Sequence, residues 1–312
     1  MKQQKVIRRT TIGGQAILEG IMMKGPRKSC TVVRKPDGTL AIQEKDITPL
    51  GETYPVFKLP ILRGIGGMVW MLKDGFAAIE YSSQFIEDDE EPGKFDRWLM
   101  EKFGEQRIEA FFSALSLVLG VAIPVALFIL LPTLIAGLFP ENLSGIAKNT
   151  IEGIIKVLLF LAFMVSVSKM KDIYRTYCYH GAEHKTIYCY EKGLELTVEN
   201  VRKQPREHPR CGTSFLFVII IISILAHALV AWGSPAFRLV VRLAMLPLIV
   251  GVSYELNRWV GRTDNALTTL LRMPGLLLQR LTVFEPDDSM IEVAIEALKR
   301  VIPEREGEDE WK

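Results

Sequence analysis

The chain has 312 residues, of which 49% are hydrophobic and 24% charged, with a formal net charge of +2. That length alone suggests two soluble domains, but the mean hydropathy is positive (+0.20) and the charges are segregated from long apolar runs. The net charge says little about partners, but nothing in the chain resembles a nucleic-acid footprint, and four cysteines without a C-x-x-C argue against a zinc ribbon or a disulfide framework.

Residues 1–11 are polar and no apolar core follows them, so no cleavable signal pattern is expected. Residues 12–26 hold four glycines around one carboxylate, Glu19; glycine allows close approach to another chain or a ligand, but spacing alone favours ordinary turns. Residues 29–35 and 39–45 alternate in character around Pro36-Asp37-Gly38, a turn signature, and predict a small cytoplasmic β-hairpin as the one clear strand pair. Residues 59–85 mix apolar side chains with Arg63, Lys73, Asp74 and Glu80, which fits an amphipathic helix lying against the bilayer or the helix bundle. The acidic run 87–91 reads as a solvated linker.

Four apolar runs follow. Residues 111–139 carry no charge over 29 positions, with Pro124 and Pro132 as kinks; 154–168 holds only Lys156; 213–232 is uncharged apart from His227; and 239–256 carries Arg242 early and Glu255 late. The first and third are long enough to cross a hydrocarbon layer, while the second and fourth need flanking residues and snorkelling by Lys156 and Arg242. Nine Lys and Arg residues lie between the second and third runs, against one in each of the other two connections. The positive-inside rule then places both termini and the large middle loop in the cytoplasm of a multi-pass cell-membrane protein. His227, near the middle of the third run, reads as a hydrogen-bonded interhelical histidine.

Chemistry concentrates in the middle loop. His180-Gly-Ala-Glu183-His184 puts two imidazoles one helical turn apart with a carboxylate beside them, the H-x-x-E-H order of inverted zinc hydrolases. From 169 to 192 there is no proline and one glycine ahead of Gly193, so the second span is expected to continue as a helix through His184 and end at Gly193. Glu191 then falls on the same stripe as His180 and His184, as a ligand or as a partner that orients a histidine. Glu207-His208-Pro209-Arg210-Cys211-Gly212 follows as a tight turn at the same membrane face. There His208 and Cys211 read either as further metal ligands or as part of a thiol nucleophile, with His208 or His184 as base. Glu255, at the cytoplasmic end of the last span, suits a distant third ligand, with an ion pair to Arg258 or Arg262 as the competing reading. All four cysteines fall on the cytoplasmic side, where thiols stay reduced. At the C-terminal end, residues 273–284 read as interfacial or re-entrant. Ser289 and Glu292 have capping-box spacing ahead of a stripe of Ile291, Ala294, Ile295, Leu298, Val301 and Ile302, and 304–310 reads as a solvated acidic tail.

Several of these stretches together resemble the YqhQ-like family of bacterial membrane proteins. They are Gly13-Gly14-Gln15-Ala16 through Met22-Met23, Tyr179 to Lys185 with Tyr190-Glu191, His208 to Phe215, and Leu281-Thr282 through Glu285-Pro286-Asp287-Asp288. The resemblance covers nearly the whole chain and implies a domain of unknown function that carries the label of a metal-dependent enzyme. The expectation is therefore a mainly α, polytopic membrane bundle of about four spans with a small cytoplasmic hairpin and amphipathic interfacial helices. It divides into residues 1–105, 106–260 and 261–312. Its expected function is that of a divalent-metal hydrolase using zinc, with His180 and His184 as ligands and His208, Cys211 or Glu255 completing the set. Glu183 would shuttle the proton and Arg210 would polarise a carbonyl or bind a phosphate, on a membrane-protein or lipid-like substrate. The competing expectation is a non-catalytic membrane adaptor whose metal, held by His180, His184, His208 and Cys211, is structural.

Overall fold

A computed structural model describes residues 6–85, 93–140, 142–230, 233–263 and 265–311; the acidic run 87–91 lies outside them. The described chain is mainly helical, with one small antiparallel sheet at its start. Residues 1–86, 164–223 and 246–312 form one compact unit, and 87–163 with 224–245 form a second.

The first unit begins with a four-stranded meander, β1 (Gly13–Ile17), β2 (Gly20–Lys24), β3 (Lys28–Arg34) and β4 (Leu40–Asp46), in the order β1-β2-β3-β4. The expected hairpin is its β3–β4 half. Gly38 takes φ 82° and donates to the Lys35 carbonyl at 2.9 Å, while Asp37 accepts from the Thr39 amide at 2.8 Å. That is the chemistry of a glycine-terminated hairpin loop. The glycine-rich run expected to be turns is instead β1 and β2. Its glycines are there for close approach, not for reversal: a side chain on Gly20 would overlap the Val32 carbonyl, and one on Gly14 would meet the Glu183 carboxyl at 2.9 Å.

After the sheet come α1 (Leu50–Thr53), a 3-10 turn at Pro55–Lys58 and the long α2 (Leu62–Ser83). α2 presents its small residues to the protein. Gly64 lies under the Tyr254 ring, Gly75 under Gln15, and Ala78 and Ser82 are buried, whereas Val69, Leu72 and Phe76 stay exposed. The amphipathic character read from the sequence is present, but its packed face is lined with glycine.

The second unit holds α3 (Lys94–Phe103), α4 (Glu105–Val125), a π-helical turn at Ala126–Leu130 that follows Pro124, and α5 (Leu131–Gly137). It also contains most of α6 (Gly145–Val167). Lys156 and Arg242 do not snorkel; they are 6% and 5% exposed. Arg242 donates to the buried Glu152 carboxylate at 2.7 Å, with Arg238 on the same oxygen. Glu152 lies two residues before the apolar run 154–168, outside the expected span, and is the anion that lets a guanidinium stay buried.

α6 does not run on into the histidine helix. The chain breaks at Ser168–Met170, with Met170 extended, and a new helix, α7 (Lys171–Glu191), begins. No glycine or proline marks that break. The far end matches its signature: Gly193 at φ 64° donates to Tyr190 and Leu194 donates to Cys189, a Schellman closure. Then follow α8 (Val198–Arg202), α9 (Gly212–Ala228), α10 (Pro235–Arg262), α11 (Ala266–Gln279) and α12 (Asp288–Lys299). Among the described residues, three helical stretches are long and apolar enough to cross a membrane, Gln106–Gly137, Gly145–Val167 and Ala236–Arg262, while α9, in the run expected to cross by itself, is apolar but shorter.

α7 and α12 pack with the sheet into the main core. Tyr179, Ala182, Ile291, Ala294 and Leu298 are fully buried there against Ile21, Met23 and Val32. Each large apolar side chain so buried contributes about 1.5–3 kcal/mol. The α12 stripe is the expected one, but its cap is Asp287, which accepts from the Met290 amide at 3.0 Å, not the Ser289–Glu292 box. An aspartate two residues ahead of Ser289 already takes the Met290 amide. The acidic tail is not uniformly solvated either. Asp309 is buried, taking hydrogen bonds from Thr10 at 2.5 Å and the Tyr190 hydroxyl at 3.0 Å.

Candidate metal centre

α7 carries His180 and His184 on one face, their rings 4.4 Å apart. The turn before α9 brings Cys211 to them, so that one ligand atom from each of His180, His184 and Cys211 lies within 4.8 Å of the others. Both imidazoles are oriented by backbone. His180 Nδ1 donates to the Thr282 carbonyl at 3.0 Å, and His184 Nδ1 donates to the Arg206 carbonyl at 2.6 Å. A ring whose Nδ1 carries the proton leaves the Nε2 lone pair for a ligand, and His180 Nε2 sits 3.2 Å from Cys211 Sγ. A tetrahedral zinc with ordinary Zn–N and Zn–S lengths separates N and S by about 3.6 Å. The donor set is close to that arrangement.

The electrostatics favour a thiolate. Burial alone would hold Cys211 protonated, but the facing His180 and His184 imidazoles outweigh it and bring the thiol well below its ordinary value. Its sulfur also accepts from the Thr213 amide at 3.4 Å, at the electropositive start of α9. In His180, burial works against protonation, yet the charge of Cys211, its hydrogen bond and then Glu183 lift the ring to about 9. The other cysteines contrast with this: burial raises Cys30 to about 12 and Cys189 to about 11.

Glu183 lies on the β1 side. Its Oε1 accepts from the Gly14 amide at 3.0 Å, and its Oε2 is buried without a hydrogen-bond partner. Burial pushes its carboxyl up, opposed by the charges of His180 and His184. This carboxylate oxygen is therefore buried with no protein donor, within the field of the histidines and Cys211.

The remaining expected residues go elsewhere. His208 turns away from the His180–Cys211 pair. Its Nε2 faces Glu191 Oε2 at 3.4 Å and its Nδ1 accepts from the Arg210 amide at 3.3 Å. Burial holds it neutral, at about 4. Arg210 is taken by an ion pair to Glu191 and lies over the Trp311 ring. Glu191, 1% exposed, also accepts from the Thr10 amide at 2.9 Å, so it ties the N-terminal segment to the His208 turn. Glu255 does not reach the centre. Its carboxylate is clamped by Arg63, with Nε at 2.6 Å, and by the Ile61 amide at 3.2 Å. The competing ion-pair reading had the right kind of partner but the wrong arginine, because α2, 192 residues away in sequence, packs on α10.

Other residues that hold the site carry no recognisable chemistry in sequence. Thr282 and Arg206 act through their carbonyls. Gln279, fully buried, grips the His208 backbone by accepting from its amide at 2.7 Å and donating to its carbonyl at 2.8 Å. Gly181 lets the Phe284 carbonyl lie directly on α7. Lys185, also buried, donates to the Arg202 carbonyl at 2.9 Å and pairs with Glu285.

With this geometry in hand, comparison with known proteins gives a family without an activity. A family model described as "Protein of unknown function (DUF1385)" matches residues 59–304. The chain is also 34% identical over 302 residues to the uncharacterized protein YqhQ of Bacillus subtilis (strain 168), covering 93% of this chain and 92% of that protein. No solved structure matches. The chain belongs to the DUF1385 family.

Proposed function

We propose that this member of the DUF1385 family is an integral cell-membrane metalloenzyme with a zinc-type centre at the cytoplasmic face, hydrolysing a bond in a membrane-protein or lipid-like substrate. The observation that carries it is the convergence of His180, His184 and Cys211 within 4.8 Å, each histidine with its tautomer set by a backbone carbonyl. Three protein ligands, with His208 turned to Glu191, fit an open centre better than a closed structural one. Bound there, a zinc ion would supply Lewis-acid activation of water. Glu183 would take the proton on its unpartnered Oε2, held in position by the Gly14 amide. Arg210, engaged by Glu191, would act by fixing the turn that presents Cys211. The membrane part is supported by the three long apolar helices and by exposed apolar side chains such as Phe111, Val118 and Val121 on α4. With α9 as a fourth, shorter crossing, the basic residues between α6 and α9 support a topology with both termini and the centre in the cytoplasm.

A second reading has its own observation. The 3.2 Å contact between Cys211 Sγ and His180 Nε2 is also that of a thiol nucleophile with its base. The adaptor reading keeps only the sheet, α2 and α12 as a docking platform and has no observation of its own. Elemental mass spectrometry of the detergent-purified full chain separates the first two. About one zinc per chain, lost in His180→Ala/His184→Ala and retained in Glu183→Gln, is expected. Cobalt exchange should give a thiolate charge-transfer band that disappears in Cys211→Ser. A folded, monodisperse, metal-free protein would sink the metal reading and leave the thiol dyad.

A further inference from the structure

A cleft of about 610 Å³ opens where α6 gives way to α7, lined by Ser168, Lys169, Lys171, Tyr174, Arg175 and Phe284. Its wall carries three cations and no carboxylate. Tyr174 and Phe284, both in its lining, stack on each other with ring centroids 4.7 Å apart and planes 24° from parallel. The cleft begins at the residue after Val167, the last of an apolar helix long enough to cross a membrane. Aromatic rings beside lysines at the end of a span match the headgroup layer, where one side of a ligand is wet and the other apolar.

We propose that this cleft binds the phosphate of an anionic phospholipid, with Lys169 and Lys171 as its point charges and the Tyr174–Phe284 pair against the glycerol and upper acyl chain. It thereby names the substrate class of the centre as an anionic lipid. Two further observations support the assignment. The third cation, Arg175, is held by Glu19, which grips it with both oxygens at 2.5 and 2.6 Å. Glu19 does so from a left-handed backbone, φ 49°, which a non-glycine residue adopts only at a cost. An arriving phosphate competes with that carboxylate for one guanidinium. The same short segment also serves both places. Phe284 closes the cleft and its amide donates to the Tyr177 carbonyl at 3.0 Å, while Thr282, two residues earlier, orients His180. Tyr174 precedes His180 by six residues, about 9 Å of rise along α7 and about 120° around it, so what links the cleft to the centre is the 282–284 segment and not a shared helix face. As a statement of substrate class this rests on the metal and membrane readings; as a binding site it does not need the metal.

The test is native mass spectrometry of the full-length chain in detergent. It is titrated with palmitoyl-oleoyl phosphatidylglycerol and with the matching phosphatidylcholine, and zinc is measured on the same samples. One phosphatidylglycerol should be retained at least ten-fold more tightly than phosphatidylcholine. Lys169→Gln/Lys171→Gln should lose roughly ten-fold or more of that affinity, since each lysine near an anionic surface is worth about five-fold. Glu19→Gln should strengthen binding by freeing Arg175. Zinc content unchanged in the lysine variant would show that it is folded and that the lipid loss is independent of the centre. Equal retention of the two lipids, full affinity in the lysine variant, or displacement of the lipid by inorganic phosphate alone would each overturn the proposal. A zinc-free parent that still prefers phosphatidylglycerol would remove the metal reading and the substrate claim while leaving the binding site standing.

Discussion

Glu191→Gln isolates one charge at the most heavily buried carboxylate beside the centre. Glu191 is 1% exposed at its side chain and Arg210 is 8% exposed, and they form an ion pair. The same carboxylate faces His208 at 3.4 Å and takes the Thr10 amide at 2.9 Å. The amide has the same shape and keeps an acceptor for Thr10, so what is lost is the counter-charge. Removing one partner of a buried ion pair costs about 3–5 kcal/mol, because the other charge is left unsolvated. The nearby Trp311 ring, 5.6 Å from the guanidinium carbon, offsets about 0.5–1 kcal/mol of that. For a unit of this size 1 kcal/mol moves the melting midpoint by about 2–4 °C, so a fall of roughly 5–15 °C is expected by intrinsic fluorescence melting in detergent. The double variant Glu191→Gln/Arg210→Met removes both charges and should recover more than half of the loss. A single variant melting within about 1 °C of the parent, or a double variant less stable than the single, refutes the argument that this pair locks the N-terminal segment to the His208 turn.

Other substitutions probe neighbouring parts of the argument. Gly181→Ala puts a methyl into the Phe284 carbonyl; overpacking of that kind costs about 1–3 kcal/mol, and displacing the Thr282 carbonyl from His180 should lower zinc content in elemental analysis. Glu255→Gln should leave the zinc stoichiometry unchanged while lowering the melting temperature, because its carboxylate serves Arg63 and the Ile61 amide; zinc loss there would return it to the ligand set. On the chelated protein, maleimide at neutral pH should label Cys211 ahead of Cys30 and Cys189, whose thiols burial raises to about 12 and 11. Zinc should then protect it, read by peptide mass spectrometry. His208 is neutral in the fold down to about 4 but protonates near 6.5 when unfolded. The unfolded chain therefore binds the extra proton between those values, and stability is full above 6.5 and declines as pH falls toward 4. His208→Gln, which keeps a donor and an acceptor, should flatten that part of a melting-temperature profile.

Much of the candidate site was legible because α-helical spacing is a local property. His180, Glu183 and His184 share a helix whose end at Gly193 follows from backbone chemistry alone. Cys211 lay within reach in sequence and next to a turn that proline and glycine enforce. Glu255 and His208 are not brought into the group of His180, His184 and Cys211 for the same reason: the partners that claim them, Arg63 and Glu191, are chosen by packing and not by spacing. The strands β1 and β2 were hidden because glycines required by the approach of Val32 and Glu183 erase the alternation that marks a strand.

By itself the sequence determined the segregation of apolar helices from a charged, chemistry-bearing loop, the α12 stripe and the β3–β4 turn, since each depends on residues a few positions apart. Only the tertiary structure decided which nitrogen of each histidine faces the thiol, because that is set by the carbonyls of Thr282 and Arg206. It alone decided that Glu183 keeps one oxygen free while β1 holds the other, and that buried cations find Glu152 and Glu191. Backbone carbonyls have no identity in a sequence and burial is a property of the whole packed chain. The arrangement of the candidate centre therefore emerges only when segments distant in sequence close around it.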